Sequence, residues 1–163
     1  CSSDLGLRLH TAIDECSAAF FALGLGRALG RPAAVVTTSG TAVAQLLAAA
    51  VEADLGTIPL LLLSADRPQR LKNCGANQAV PQERFLLSCC RLLLEGPPRG
   101  LAEATAAQLE ELAARAMTAA CGDGRTAPAG PVHCNLPFDE PLHVDGADVA
   151  ALEAALEIGR AHA

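Results

Sequence analysis

The chain has 163 residues, which suits one domain, and 51% of them are hydrophobic, enough for a sizeable core. The formal net charge of −6, with no basic stripe, argues against nonspecific nucleic-acid binding. No apolar run reaches the length of a membrane span.

With no Trp or Tyr and four Phe, the core is expected to be Leu, Ala and Val. Residues 1–5 carry no pattern, the chain reads as holding no signal peptide and does not begin with Met, and Cys1 is expected to be an arbitrary start inside a longer protein. Residues 7–13 alternate loosely and read as a strand. A helix over 14–29 follows, with Asp14 as N-cap, Glu15 as a first-turn acid, and Gly30 and Pro32 closing it. Its body is almost entirely apolar or small, so both faces are expected to be covered by protein. Residues 33–38 read as a short strand buried on both faces. Ser39-Gly40-Thr41 is the turn after it, and 42–55 is a second apolar helix. Residues 58–65 form the most apolar strand, ended abruptly by Asp66-Arg67-Pro68.

The second half begins with a polar loop over 71–78, a short helix over 80–88 and a strand over 90–94. Gly96-Pro97-Pro98 breaks the chain before an amphipathic helix over 101–121. A loop of Gly, Pro and small polar residues over 121–130 leads to a last strand over 130–137, and 149–156 reads as a partly amphipathic helix. The tail Glu157-Ile158-Gly159-Arg160-Ala161-His162 matches a common sequencing adapter translated in one frame, so residues 158–163 are expected not to be native. Strands alternating with helices, the strands apolar throughout, indicate an α/β fold with a parallel sheet and helices on both faces.

In such folds ligands sit at the carboxyl ends of the strands. Asp14-Glu15, Ser39-Gly40-Thr41 and Asp66-Arg67-Pro68 all fall there. No Lys or Arg lies three or four residues from Glu15. Glu15 is therefore either a solvated first-turn acid or, if tertiary structure covers it, a carboxylate with a raised pKa that is available as a proton donor. The Gly40 turn is either an ordinary tight turn or a place where a ligand meets the backbone and free helix N–H groups; it matches neither a P-loop nor a dinucleotide loop. Arg67 and Arg70 are either solvated or placed to grip a carboxylate bidentately, and the Asn77 and Gln78 amides can bond carboxylates or hydroxyls. Gly122-Asp123-Gly124 reads as a turn rather than a metal loop, and His133 as a satisfied core histidine. The seven Cys form no C-x-x-C pair, and neither Cys89-Cys90 nor the four His make a ligand cluster. The Cys read as small core residues in a reducing compartment.

Five motifs occur together: Asp14-Glu15 before an apolar helix, Thr38-Ser39-Gly40-Thr41-Ala42, Ala65-Asp66-Arg67-Pro68, Gly75-Ala76-Asn77-Gln78, and residues 130–138 with Glu140-Pro141-Leu142. In that order and spacing the chain, from about Leu9 to Leu142, resembles the N-terminal pyrimidine-binding domain of the MenD family. These are the thiamine-diphosphate-dependent 2-succinyl-5-enolpyruvyl-6-hydroxy-3-cyclohexene-1-carboxylate (SEPHCHC) synthases of menaquinone and phylloquinone biosynthesis. The resemblance implies a three-layer Rossmann-like domain over residues 1–145 that lacks its first strand and substrate-contacting loop, with 146–163 as linker, helix and tail. It implies decarboxylation of 2-oxoglutarate and addition to isochorismate. Glu15 matches the glutamate that bonds N1′ of the cofactor's aminopyrimidine; Ser39, Gly40 and Thr41 match the turn against the cofactor; Arg67, Asn77 and Gln78 match substrate-facing residues.

No metal ligand is expected in this stretch, because Mg2+ or Mn2+ and the diphosphate belong to a downstream domain. The family places its active site between subunits, so a homodimer or homotetramer is expected and the 163 residues alone should not turn over. A bacterial source implies the cytoplasm, an alga or plant the plastid stroma. The family usually has Arg after the glutamate, where this chain has Cys16. Acetohydroxyacid synthases and 2-oxoacid decarboxylases share the fold and the glutamate, but the synthases carry Gly-Pro-Gly where this chain has Gly40-Thr41-Ala42. A non-catalytic pyrimidine-type domain would be marked by loss of the glutamate, which is present.

Overall fold

The computed structural model describes residues 8–98, 100–140 and 142. Residues 12–139 form one compact unit; residues 8–11, 140 and 142 belong to a separate one. The expected helix over 149–156 and the tail lie outside the described residues.

The unit opens with α1 (Glu15–Leu29), whose start is set by Asp14: its carboxylate accepts from Ser17 N–H at 2.7 Å. Gly30 ends it in the left-handed region at φ 61, which a residue without a Cβ reaches at little cost. The remaining elements are β1 (Ala33–Thr37), α2 (Thr41–Ala44), α3 (Leu47–Leu55), β2 (Leu60–Asp66), β3 (Leu92–Glu95), α4 (Ala106–Cys121) and β4 (Pro131–Pro137). All four strands are parallel, in the order β1-β2-β4-β3.

The register assigns side chains to the two faces. Val35, Leu62 and His133 lie in one row. On that face Val35, Leu60 and Leu62 pack with Ala19 and Ala22 of α1 and Ala49, Ala50 and Ala53 of α3. On the other, Leu61, Leu63, Val132 and Cys134 pack with Ala116 and Ala120 of α4. Alanine on the helices and leucine on the strands let the layers approach closely. A Cβ on Gly26 would lie 2.6 Å from the Pro59 carbonyl oxygen, just before β2 begins. The last turns of α1 therefore rest at the amino edge of the sheet, and its start lies about 20 Å away, at the carboxyl edge.

Several expectations are corrected. Among the described residues, 8–13 form no strand beyond a single bridge at Arg8, and Ile13 is fully exposed. β1 is an edge strand buried on one face: α4 packs against β2, β4 and β3, which leaves Val36 77% exposed. α1 is covered along Ala19, Ala22 and Gly26, whereas Phe20 and Phe21 stand exposed. The helix expected over 42–55 is split at Gln45 and Leu46, where Leu46 N–H bonds one residue short, to Val43 O. Residues 80–88 make a 3-10 turn, Gln82–Arg84, rather than a helix. The long helix starts at 106, not 101, because Thr105 and Gln108 build a reciprocal capping box there.

The described cysteines are all free thiols. Cys89 and Cys134 are buried, Cys16 and Cys90 half-buried, while Cys74 and Cys121 are exposed, so the core reading holds for part of them. Burial pushes the Cys134 thiol up to about 11.

Candidate functional site

Glu15 sits half-buried in the first turn of α1, where the helix dipole favours an anion. Among the described residues its carboxylate has no hydrogen-bond or ion-pair partner. The Ser39-Gly40-Thr41 turn follows β1 at the same carboxyl edge. Gly40 has φ 87 and ψ −137, a conformation that L side chains rarely adopt, and a Cβ on it would stand 3.2 Å from Gln78 Cβ. Ser39 is buried and Thr41 exposed. The side chain of Gln78, itself in the left-handed region at φ 59, reaches the Ser39 carbonyl at 3.5 Å.

Non-glycine residues held at positive φ cluster at functional sites because the surroundings must impose them. Arg67 is half-buried at the end of β2, and its Nε donates to Asn77 O at 3.4 Å. The structure thus joins Gly40 and Ser39 to Gln78, and Arg67 to Asn77. Glu15 shares their edge of the sheet, and no hydrogen bond ties it to them. Arg70 is engaged elsewhere, in an ion pair with Asp139. A cleft of about 250 Å3 lies beside Arg67, lined by Asp66, Lys72, Glu95 and Asn135.

The Gly40 N–H is not free for a ligand, because it donates to Gln82 Oε1 at 2.8 Å. Gln82 is fully buried, and behind it runs a network that sequence reading missed. Its Nε2 donates to Ala65 O at 2.7 Å and to Asn135 Oδ1 at 2.8 Å. Asn135 Nδ2 donates to Asp66 Oδ2 at 2.8 Å and to Glu95 Oε2 at 2.9 Å. Asp66 also accepts from Arg67 N–H and pairs with Lys72 Nζ, each at 2.7 Å. For Lys72, burial opposes the charge, but Asp66 and then Glu83 outweigh it and raise the pKa.

A signal for part of this network existed: His133 and Asn135 alternate inside an apolar strand and so share a face. Gln82 carried none. His133 is 1% exposed, with Nε2 2.7 Å from Ser64 Oγ, so it lies in the core as expected, but it is only half satisfied: its buried Nδ1 has no hydrogen-bond partner among the described residues. Burial pulls its pKa down to about 4, against the opposing pull of Asp66 and Glu83. Asp123 is likewise the turn residue expected, accepting from Arg125, Thr126 and Ala127 N–H groups. Its carboxylate is held well below the usual range by the Thr126 hydroxyl and those amides.

Three features fit a planar heterocycle with a ring nitrogen. Among the described residues Glu15 is a carboxylate without a partner and the buried Thr37 hydroxyl at the end of β1 has none either, while Gly40 presents backbone without a side chain. No group of three His, Cys, Asp or Glu able to hold a metal ion occurs among the described residues.

Residues 1–86 match the family model for the thiamine pyrophosphate enzyme N-terminal TPP binding domain. The chain is 61% identical over 155 residues to a 2-succinyl-5-enolpyruvyl-6-hydroxy-3-cyclohexene-1-carboxylate synthase of Synechococcus sp. (strain RCC307), covering 94% of this chain and 26% of that protein. Proteins of the same name from Synechococcus sp. (strain WH7803) and Prochlorococcus marinus (strain MIT 9313) are 58% and 60% identical, covering 91% and 85% of this chain and 25% and 23% of themselves. The chain spans about a quarter of the length of these curated relatives.

Proposed function

The chain belongs to the thiamine pyrophosphate enzymes, through their N-terminal TPP-binding domain, and from that premise we propose that it is the pyrimidine-binding part of a SEPHCHC synthase. The whole enzyme would decarboxylate 2-oxoglutarate and add the remaining fragment to isochorismate. The observation that carries this reading is the unpartnered Glu15 carboxylate at the same sheet edge as the Gly40 turn. Residues 1–145 make up the proposed pyrimidine-binding domain.

Bound thiamine diphosphate supplies the nucleophilic carbon that chemistry on a 2-oxo acid requires. This chain's residues bind and tune it. Glu15, half out of water and without a competing cation, holds a proton against the ring nitrogen as a general acid–base. Gly40, flanked by Ser39 and Thr41, lets the ring lie against the backbone, where a Cβ would push on Gln78. Arg67 meets a substrate carboxylate, with Asn77 and Gln78 adding amide hydrogen bonds. Mg2+ or Mn2+ and the diphosphate belong to the downstream part of the protein. The exposed Phe20 and Phe21 of α1, with Leu47, Val51 and Leu55 of α3, support a homo-oligomer whose second subunit completes the site. The relatives are cyanobacterial, and the proposed setting is a bacterial cytoplasm or a plastid stroma.

The test uses the full-length protein with thiamine diphosphate, Mg2+, 2-oxoglutarate and isochorismate. SEPHCHC and carbon dioxide are expected in equal amounts, and the 163 residues alone should give neither. Consumption of pyruvate in place of 2-oxoglutarate would assign the protein to another branch of the thiamine-dependent enzymes.

A further inference from the structure

We infer that Gln82 is a positioning residue that fastens the cofactor-facing turn to the strand end carrying Arg67, so that the two halves of the site move as one. The inference rests on the reading of Ser39-Gly40-Thr41 as the cofactor turn. Gln82 stands 42 residues from Gly40 and 53 from Asn135 in sequence, and among the described residues no other side chain bonds to both. A fully buried amide is costly unless its hydrogen bonds are made. Here they are: its one acceptor takes the Gly40 N–H, and its donors reach Ala65 O and Asn135 Oδ1.

The pattern of one acceptor facing a donor and two donors facing two acceptors dictates an amide. A carboxylate would turn an oxygen onto Ala65 O and Asn135 Oδ1, and a thioether would satisfy none of the three. The bonds also point one way. Gly40 N–H donates to Gln82, Gln82 to Asn135, and Asn135 to the Asp66 carboxylate, which also takes the Arg67 N–H. Bonds in such a chain polarise one another. The orientation of the Gly40 turn is thereby tied to the charge of Asp66 and to the backbone that presents Arg67.

The test compares full-length protein with its Gln82→Met and Gln82→Glu variants in two measurements. The first is hydrogen exchange in cofactor-free protein, following the peptide over 38–43 against a core peptide over 47–55. The second is titration with thiamine diphosphate. In Gln82→Met the turn is expected to lose about tenfold in protection, with the core peptide unchanged, and cofactor affinity to fall about tenfold. Gln82→Glu keeps the acceptor toward Gly40 and lacks the donors while ionised. Lowering the pH from about 8 to about 6 protonates part of it, so protection and affinity, each relative to wild type at the same pH, are expected to recover.

A purely structural role would loosen turn and core together and show no recovery with pH, and that result would overturn the inference. So would unchanged exchange in the turn of both variants, or failure of both to fold. If wild type does not bind thiamine diphosphate while the turn loosens as described, the proposed function fails and the fastening role of Gln82 stands.

Discussion

The two edges of the sheet differ in what they leave open. At the amino edge, Asp123 satisfies the loop after α4 through bonds to Arg125, Thr126 and Ala127, all within four residues. Arg91 there is consumed by Asp54 and by the carbonyls of Pro128 and Ala129. At the carboxyl edge the side-chain bonds of Gln82 and Asn135 span from 17 to 71 residues. Among the described residues Glu15 has no partner there; Gln78 is held at positive φ, as Thr57 is at the amino edge. At the amino edge the charges of Asp123 and Arg91 are met within the chain, by bonds spanning two to four residues for Asp123 and 37 to 38 for Arg91. The carboxyl edge, which leaves a carboxylate open, is the one proposed to meet the cofactor.

The largest expected effect breaks that contrast at its centre. Glu15→Gln in the full-length protein should lower kcat about 10²- to 10⁴-fold, since an amide cannot exchange a proton with the ring. Steady-state rates near wild type would return Glu15 to the status of a solvated helix acid.

His133 tests the buried floor of the same edge. Its folded pKa of about 4 lies below the ordinary 6.5, so between those values the unfolded chain binds a proton that the fold refuses. Stability is full above about pH 6.5 and falls as pH drops toward 4, by about 3 kcal/mol in all. Denaturant unfolding across this window should show the slope in wild type and a flatter one in His133→Gln.

Gly40→Ala comes next. Its φ of 87 and the 3.2 Å approach to Gln78 should cost about 1–3 kcal/mol of stability in denaturant melts. Cofactor affinity should weaken with it. The smallest effect belongs to the amino edge. Asp123→Ala should lower the melting temperature slightly and leave kcat and both KM values unchanged, and a marked change in either KM would mean that the two edges are not separate in function.

Much of the architecture was legible because its signals are local. Asp14 and Gly30 bound α1 by chemistry within four residues of each end. The apolar runs of β1 and β2 and the alternation in β4 mark parallel strands whichever neighbours they meet. The candidate residues Glu15, Gly40 and Arg67 were legible as punctuation at strand and helix ends, though their chemistry came from resemblance and not from spacing. The misplaced start of α4 was readable in Thr105 and Gln108, a capping box overlooked inside an Ala-rich run. The exposure of Val36, by contrast, depends on which strand lies at the edge and where α4 settles.

The chain's own order of residues determined the bounds of α1, β1, β2 and β4 to within about two residues, since caps, turns and apolar period act over a few positions. Tertiary structure alone decided that Gln82 would close on Gly40 and that Asn135 would lie between Gln82 and Asp66. A buried amide selects partners by geometry in space, and nothing in the residues adjacent to Gln82 records a glycine 42 positions earlier.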